Sequence, residues 1–111
     1  MDYSKLSDYE INKLVAYQLG YTEQGEGWID NADGIYWYIL KPEEGYRYSL
    51  PNYCKSWAEG GPIISANKIS VEFYDCGLCL AFSLNNMEYN QEDNNPLRAA
   101  MIVFLKLKGV V

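Results

Sequence analysis

The sequence predicts an α+β fold: a small antiparallel sheet flanked by an N-terminal and a C-terminal helix, both packed on one face. Two observations carry this. Capped amphipathic runs stand at either end of the chain, and two apolar stretches of strand-like alternation lie between them, at 69–73 and 78–84. With 111 residues there is room for one core, so a single domain, 1–111, is expected.

The N-terminal helix announces itself by Ser7-Asp8-Tyr9-Glu10, the spacing of a capping box in which Ser7 meets the Glu10 amide and Glu10 reaches back. Leu6 and Ile11 hold the staple positions, and Asp8 suits the positive end of the helix dipole. Ile11, Leu14, Val15 and Leu19 form one apolar stripe, and Gly20 ends the helix by taking a left-handed conformation. Residues 21–27 are polar and Gly-rich. Trp28-Ile29 is followed by the turn-rich Asp30-Asn31-Ala32-Asp33-Gly34, which predicts a hairpin. The β-branched and aromatic run Ile35-Tyr36-Trp37-Tyr38-Ile39-Leu40 reads as one strand ending before Lys41-Pro42.

Glu43 to Gly61 mixes turn residues with aromatics. Ser56-Trp57-Ala58-Glu59 repeats the capping-box spacing, but Gly60-Gly61 follows at once, so at most one turn is expected there. A separate helical turn is expected from Pro62 through Ala66, ending at Asn67. Ile69, Val71 and Phe73 alternate with polar residues, as do Leu78, Leu80, Phe82 and Leu84 with small ones. The two runs predict strands joined by a tight Asp75-Cys76-Gly77 turn, with these apolar sets on one buried face. Asn85 to Asn94 reads as a polar loop. Asn95-Pro96 then caps a helix in which Leu97, Ala100, Met101, Phe104 and Leu105 face the core, Ile102 and Val103 widen that face, and Arg98 is exposed. Lys106 and Lys108 suit its negative end and Gly109 closes it.

The opening segment from Tyr3 to Ala16, the closing segment from Asn95 to Leu105, and the central Gly61-Pro62-Ile63-Ile64-Ser65-Ala66-Asn67-Lys68-Ile69-Ser70 resemble the NinX-like proteins of lambdoid phages and prophages. The likeness runs nearly end to end, with Gly25 to Asn52 the stretch that shows nothing alignable. The resemblance implies no transferable activity. It does imply an accessory phage protein expressed in a bacterial host, and so a modulator of host machinery or host defence.

Composition narrows the function classes. There are 9 Lys and Arg against 15 Asp and Glu, a net charge of −6, and no histidine. The dispersed basic residues disfavour direct nucleic-acid binding, which needs clustered cations, and a basic partner fits better. The carboxylates show no regular spacing of the kind that nucleic-acid mimicry would use. Nothing in the chain is long and apolar enough to span a bilayer, and the first five residues do not read as a signal peptide, so a location in the bacterial cytoplasm is expected. Three cysteines form no disulfide framework.

Candidate chemistry is sparse. Cys76-Gly77-Leu78-Cys79 has C-x-x-C spacing, but zinc would need Cys54 and a carboxylate such as Asp75 to complete four ligands, and the pair straddles a turn instead of a strand-to-helix junction. Ordinary turn and strand cysteines are expected, with no metal and no cofactor. Without histidine or a nucleophile elbow, hydrolase chemistry loses its usual parts, and Glu43, Glu44, Glu88, Glu92 and Asp93 read as solvated carboxylates. The glycines at 25, 27, 60 and 61 match no phosphate-binding fingerprint. The expectation is a binding protein and not an enzyme.

Eleven tyrosines and three tryptophans exceed what a small core uses, since Tyr is seldom fully buried. Tyr36, Tyr38, Tyr46, Tyr48, Tyr53 and Trp57 cluster in sequence and form the candidate aromatic binding patch. The first reading is stoichiometric docking on a bacterial host protein through this patch. The alternative is a small-ligand or nucleotide-binding module whose aromatics line a pocket. A homodimer would use the same surface.

Overall fold

The computed structural model describes residues 2–23, 29–31, 34–36, 38–41 and 46–110, and from 22 to 49 it defines the backbone of the strands alone. In chain order the elements are a 3-10 turn (Tyr3–Lys5), α1 (Asp8–Gln18), β1 (Thr22–Glu23), β2 (Ile29–Asn31), β3 (Gly34–Tyr36), β4 (Tyr38–Lys41), β5 (Tyr46–Ser49), α2 (Trp57–Ala66), β6 (Ile69–Phe73), β7 (Cys79–Ser83), β8 (Asn90–Asp93) and α3 (Pro96–Leu107).

The two terminal helices form where their caps place them. Ser7 caps α1 by accepting from the Glu10 amide at 3.1 Å, and Gly20 follows at φ +96°. Asn95 caps α3 by accepting from the Leu97 and Arg98 amides, Pro96 opens the helix, and Gly109 closes it at φ +69°. Both N-terminal caps are short side chains competing well for the orphan amides of a first turn, which is why the boundaries are local properties.

The main sheet is antiparallel in the order β6-β7-β8. The α+β architecture is as expected, a small antiparallel sheet with its helices on one side. α3 lies directly on the strands, and α1 and α2 pack on α3. Being enclosed by the sheet and by two helices, α3 buries Leu97 and every residue from Ala99 to Leu105, far more than the single face its spacing indicates. Ile11, Val15 and Ala16 of α1, Ile63 of α2, Ile69 of β6 and Ala81 of β7 join that core, as do Tyr3, Tyr53 and Cys54.

The face assignment of β7 differs from the alternation reading. Ile69 stands opposite Ser83, Val71 opposite Ala81 and Phe73 opposite Cys79, so the helix-facing side of β7 carries Cys79, Ala81 and Ser83, while Leu80 and Phe82 take the other face. Leu84, expected in the core, is 60% exposed, and Phe73 is 67% exposed. α3 packs directly on β7, whose helix-facing residues are the small Cys79, Ala81 and Ser83, a volume match that hydrophobic alternation does not encode.

Three further expectations are corrected. The expected single strand 35–40 is two strands in two sheets: 34–36 fold back on 29–31 as a hairpin, whereas 38–41 pair with 22–23 and 46–49. An apolar run gives no sign of where its pairing partner changes. The polar loop 85–94 contains β8, an edge strand with no apolar member; Gln91 and Asp93 are half-buried, held by Lys106 and Arg98 of α3. Arg98, expected exposed, has a side chain only 12% exposed. It donates through Nε to Asp93 at 3.0 Å, through Nη1 to Asp8 at 2.7 Å, and through Nη2 to the Ser4 and Leu6 carbonyls, tying the N-terminal segment, α3 and β8 together.

Candidate functional site

The segment carrying the last two aromatic candidates is placed by asparagine side chains. Asn12 of α1 donates to Asn52 Oδ1 and accepts the Cys54 amide, each at 3.1 Å. Asn95, besides capping α3, donates to the Cys54 carbonyl at 2.7 Å. Both backbone groups of Cys54 are thus held by side chains from α1 and the α3 cap, which fixes the tight 52–56 turn leading into α2. Asn12, 6% exposed, is a positioning residue that helical spacing passed over, because a polar residue next to Ile11 reads as solvent-facing.

α2 then runs unbroken from Trp57 to Ala66, where a single turn, a break at Gly60-Gly61 and a separate turn from Pro62 were expected. The reason lies in packing. A Cβ on Gly60 would stand 2.6 Å from the Tyr53 carbonyl oxygen and 2.9 Å from Leu97 Cδ2, so glycine is what lets α2 seat against the 52–56 turn and α3. Asn67 ends the helix as expected, its Nδ2 donating to the Ile63 carbonyl at 2.8 Å, and Lys68 turns the chain into β6 at φ +52°.

The six aromatic candidates lie on several elements. Tyr36 lies in β3 and Tyr38 in β4, which belong to different sheets; Tyr46 and Tyr48 lie in β5. The β4–β5 register sets Tyr46 and Tyr48 in line with Lys41 and Ile39, and Tyr38 in line with Ser49 at the intervening parity. The side chains of these four lie outside the described residues, as do Gly25, Gly27, Glu43 and Glu44. Tyr53 is 3% exposed and belongs to the core cluster. Trp57 is 55% exposed in the first turn of α2.

An open cleft of about 360 Å³ lies between the end of α1 and α2, and its lining on α2 begins at Ala58, the residue after Trp57. Leu19 and Tyr21 form one wall, Ala58, Glu59, Pro62 and Ala66 the other, with Tyr53, Ile63 and Asn67 between. Burial pushes the Tyr53 hydroxyl well above its ordinary range, helped by the neighbouring Tyr21 and the Glu59 carboxylate. Tyr53 is thus a neutral phenol lining a cleft of negative character. Sequence reasoning placed Tyr53 and Trp57 in one patch but gave no sign of the cleft, whose two walls are separated in the chain.

The remaining candidate groups are accounted for structurally. Cys54 and Cys79 are buried and Cys76 is exposed in its turn. Burial, reinforced by Asp8, pushes the Cys54 thiol up to about 12, so it is a poor nucleophile. Asp93 is bonded to Arg98, and Glu88 and Glu92 are exposed. No group of three or more Cys, Asp or Glu among the described residues is arranged to hold a metal ion, and no helix among them is long and apolar enough to cross a membrane.

Residues 2–108 match the family described as Bacteriophage P22, NinX. The chain belongs to the NinX family. It is a phage or prophage protein of a family with no assigned biochemical function, and no curated protein matches it. The match spans both capped helices, the turn at 52–56, α2 and the main sheet, so everything that builds the cleft falls within the family's domain.

Proposed function

We propose that this NinX protein acts by stoichiometric binding to a protein of the bacterial host, modulating host machinery or host defence in the cytoplasm, and that it does no catalysis. The observation that carries the reading is Trp57: a tryptophan more than half exposed, at the start of a helix whose preceding turn is held by Asn12 and Asn95, and followed in the chain by Ala58 and Glu59, which line an open cleft. Rigidly presented Trp side chains dominate interface energetics, and the net charge of −6 favours encounter with a basic surface.

Affinity capture of tagged protein from host lysate tests this. A specific host protein should be retained by the wild type, and Trp57→Ala should weaken its binding by roughly 10-fold or more with the fold intact. Equal binding by the variant would remove Trp57 from the interface, and a stable homodimer with no host protein retained would replace the reading. The cleft favours a second reading, a small-ligand or nucleotide-binding module, because its volume lies at the lower end of ligand sites and aromatic groups line it. Mass spectrometry of small molecules released from the purified protein separates the two.

A further inference from the structure

We propose that the cleft between the end of α1 and α2 accepts an arginine side chain presented by the partner protein. This rests on the binding reading above and adds the chemistry of the anchor.

The cleft is built to favour a cation. Leu19, which lines it, is the C-cap of α1, so the negative end of that helix dipole borders the cleft, whereas α2 lines it along its length, from Ala58 and Glu59 in its first turn to its C-cap Asn67. Neither helix carries a basic side chain in its last turn to offset that charge. Lys68 follows α2 directly but does not line the cleft. Among the described residues that do, Glu59 alone is charged, and it is negative.

Shape and surface chemistry select arginine among cations. Leu19, Pro62, Ile63 and Ala66 offer an apolar lining for a three-carbon stem, while Tyr21 and Tyr53 offer aromatic surface. A guanidinium is planar, weakly hydrated, and forms forked hydrogen bonds to a carboxylate such as that of Glu59, where a lysine ammonium would have to shed tightly held water. Asn67 donates one Nδ2 hydrogen to the Ile63 carbonyl, and its Oδ1 is an acceptor that a guanidinium can use.

The test uses the full chain, with Nα-acetyl-arginine methylamide and the neutral, nearly isosteric citrulline compound as probes, followed by amide NMR. The arginine probe should shift the amides of Leu19, Tyr21, Glu59 and Asn67 and bind roughly five-fold or more tightly than citrulline, from one exposed ion pair and the C-terminal end of α1 together. Glu59 is exposed, so Glu59→Gln keeps the fold and should remove most of that preference. Equal binding of the two probes, shifts clustered elsewhere, or an unchanged preference in Glu59→Gln would each overturn the proposal. Trp57→Ala, outside the cleft lining, should leave arginine binding intact while weakening host-protein capture. Arginine binding without any captured host protein would therefore sink the interaction reading and leave the cation site standing.

Discussion

Gly60 and Gly61 are adjacent in the interior of α2, yet replacing each by alanine is expected to have opposite effects. In a helix interior, alanine is favoured over glycine by about 1 kcal/mol, and that gain applies to both positions. At Gly61 nothing lies within 4 Å of the added Cβ, so Gly61→Ala should stabilise the protein by about 0.5–1 kcal/mol. At Gly60 the new Cβ would stand 2.6 Å from the Tyr53 carbonyl oxygen and 2.9 Å from Leu97 Cδ2. Leu97 can rotate only within a packed core, and the Tyr53 carbonyl belongs to a turn whose next residue is held at both backbone groups by Asn12 and Asn95. Overpacking of this kind costs about 1–3 kcal/mol, which offsets the helical gain and leaves Gly60→Ala neutral to about 2 kcal/mol destabilising. The two variants should therefore differ by about 1–3 kcal/mol in urea unfolding midpoints at constant m-value. Equal stabilisation by both would refute the argument, because it would mean that α2 is not seated against the 52–56 turn, and the cleft geometry would fall with it.

Two more predictions concern the polar and thiol groups behind the site. Arg98→Ala should lower the unfolding free energy by about 3 kcal/mol, the lower end for breaking a buried ion pair because Asp8 remains a third exposed, and Arg98→Lys should recover little since one ammonium cannot serve four separated acceptors; a loss under about 1 kcal/mol by denaturant titration would contradict the clamp. With the Cys54 thiol moved from 9.0 up to about 12, folding favours its protonated form, so the stabilising contribution is complete below pH 9.0 and declines as pH rises toward 12. In the native protein iodoacetamide should modify exposed Cys76 first and reach Cys54 only on unfolding, and mass mapping that finds Cys54 labelled as fast as Cys76 would refute its burial.

What the sequence determined by itself was local or periodic. Ser7 and Asn95 as caps, Gly20 and Gly109 as stops, the Asp75-Cys76-Gly77 turn and the apolar spacing of α1 and α3 depend on groups within a few residues of one another, and those short-range interactions are the same in any fold. The family resemblance was legible for the same reason, since its matching segments are the capped helices and the stretch leading into β6.

What only the tertiary structure decided was every choice that depends on a partner distant in the chain. β8 has no apolar pattern and exists because its hydrogen bonds go to β7 and its side chains to Arg98 and Lys106. The Leu/Phe set of β7 turned away from α3 because register, not hydrophobicity, sets the face. Gly60 reads as a helix breaker until Tyr53 and Leu97 are seen against it. Tyr53 and Trp57 are four residues apart and chemically alike in sequence, yet one lies in the core and the other in solvent. The cleft beside Tyr53 is formed by the end of α1 and one face of α2, which come together only when both helices pack on α3, so it is a property of the assembled helices and of no single segment.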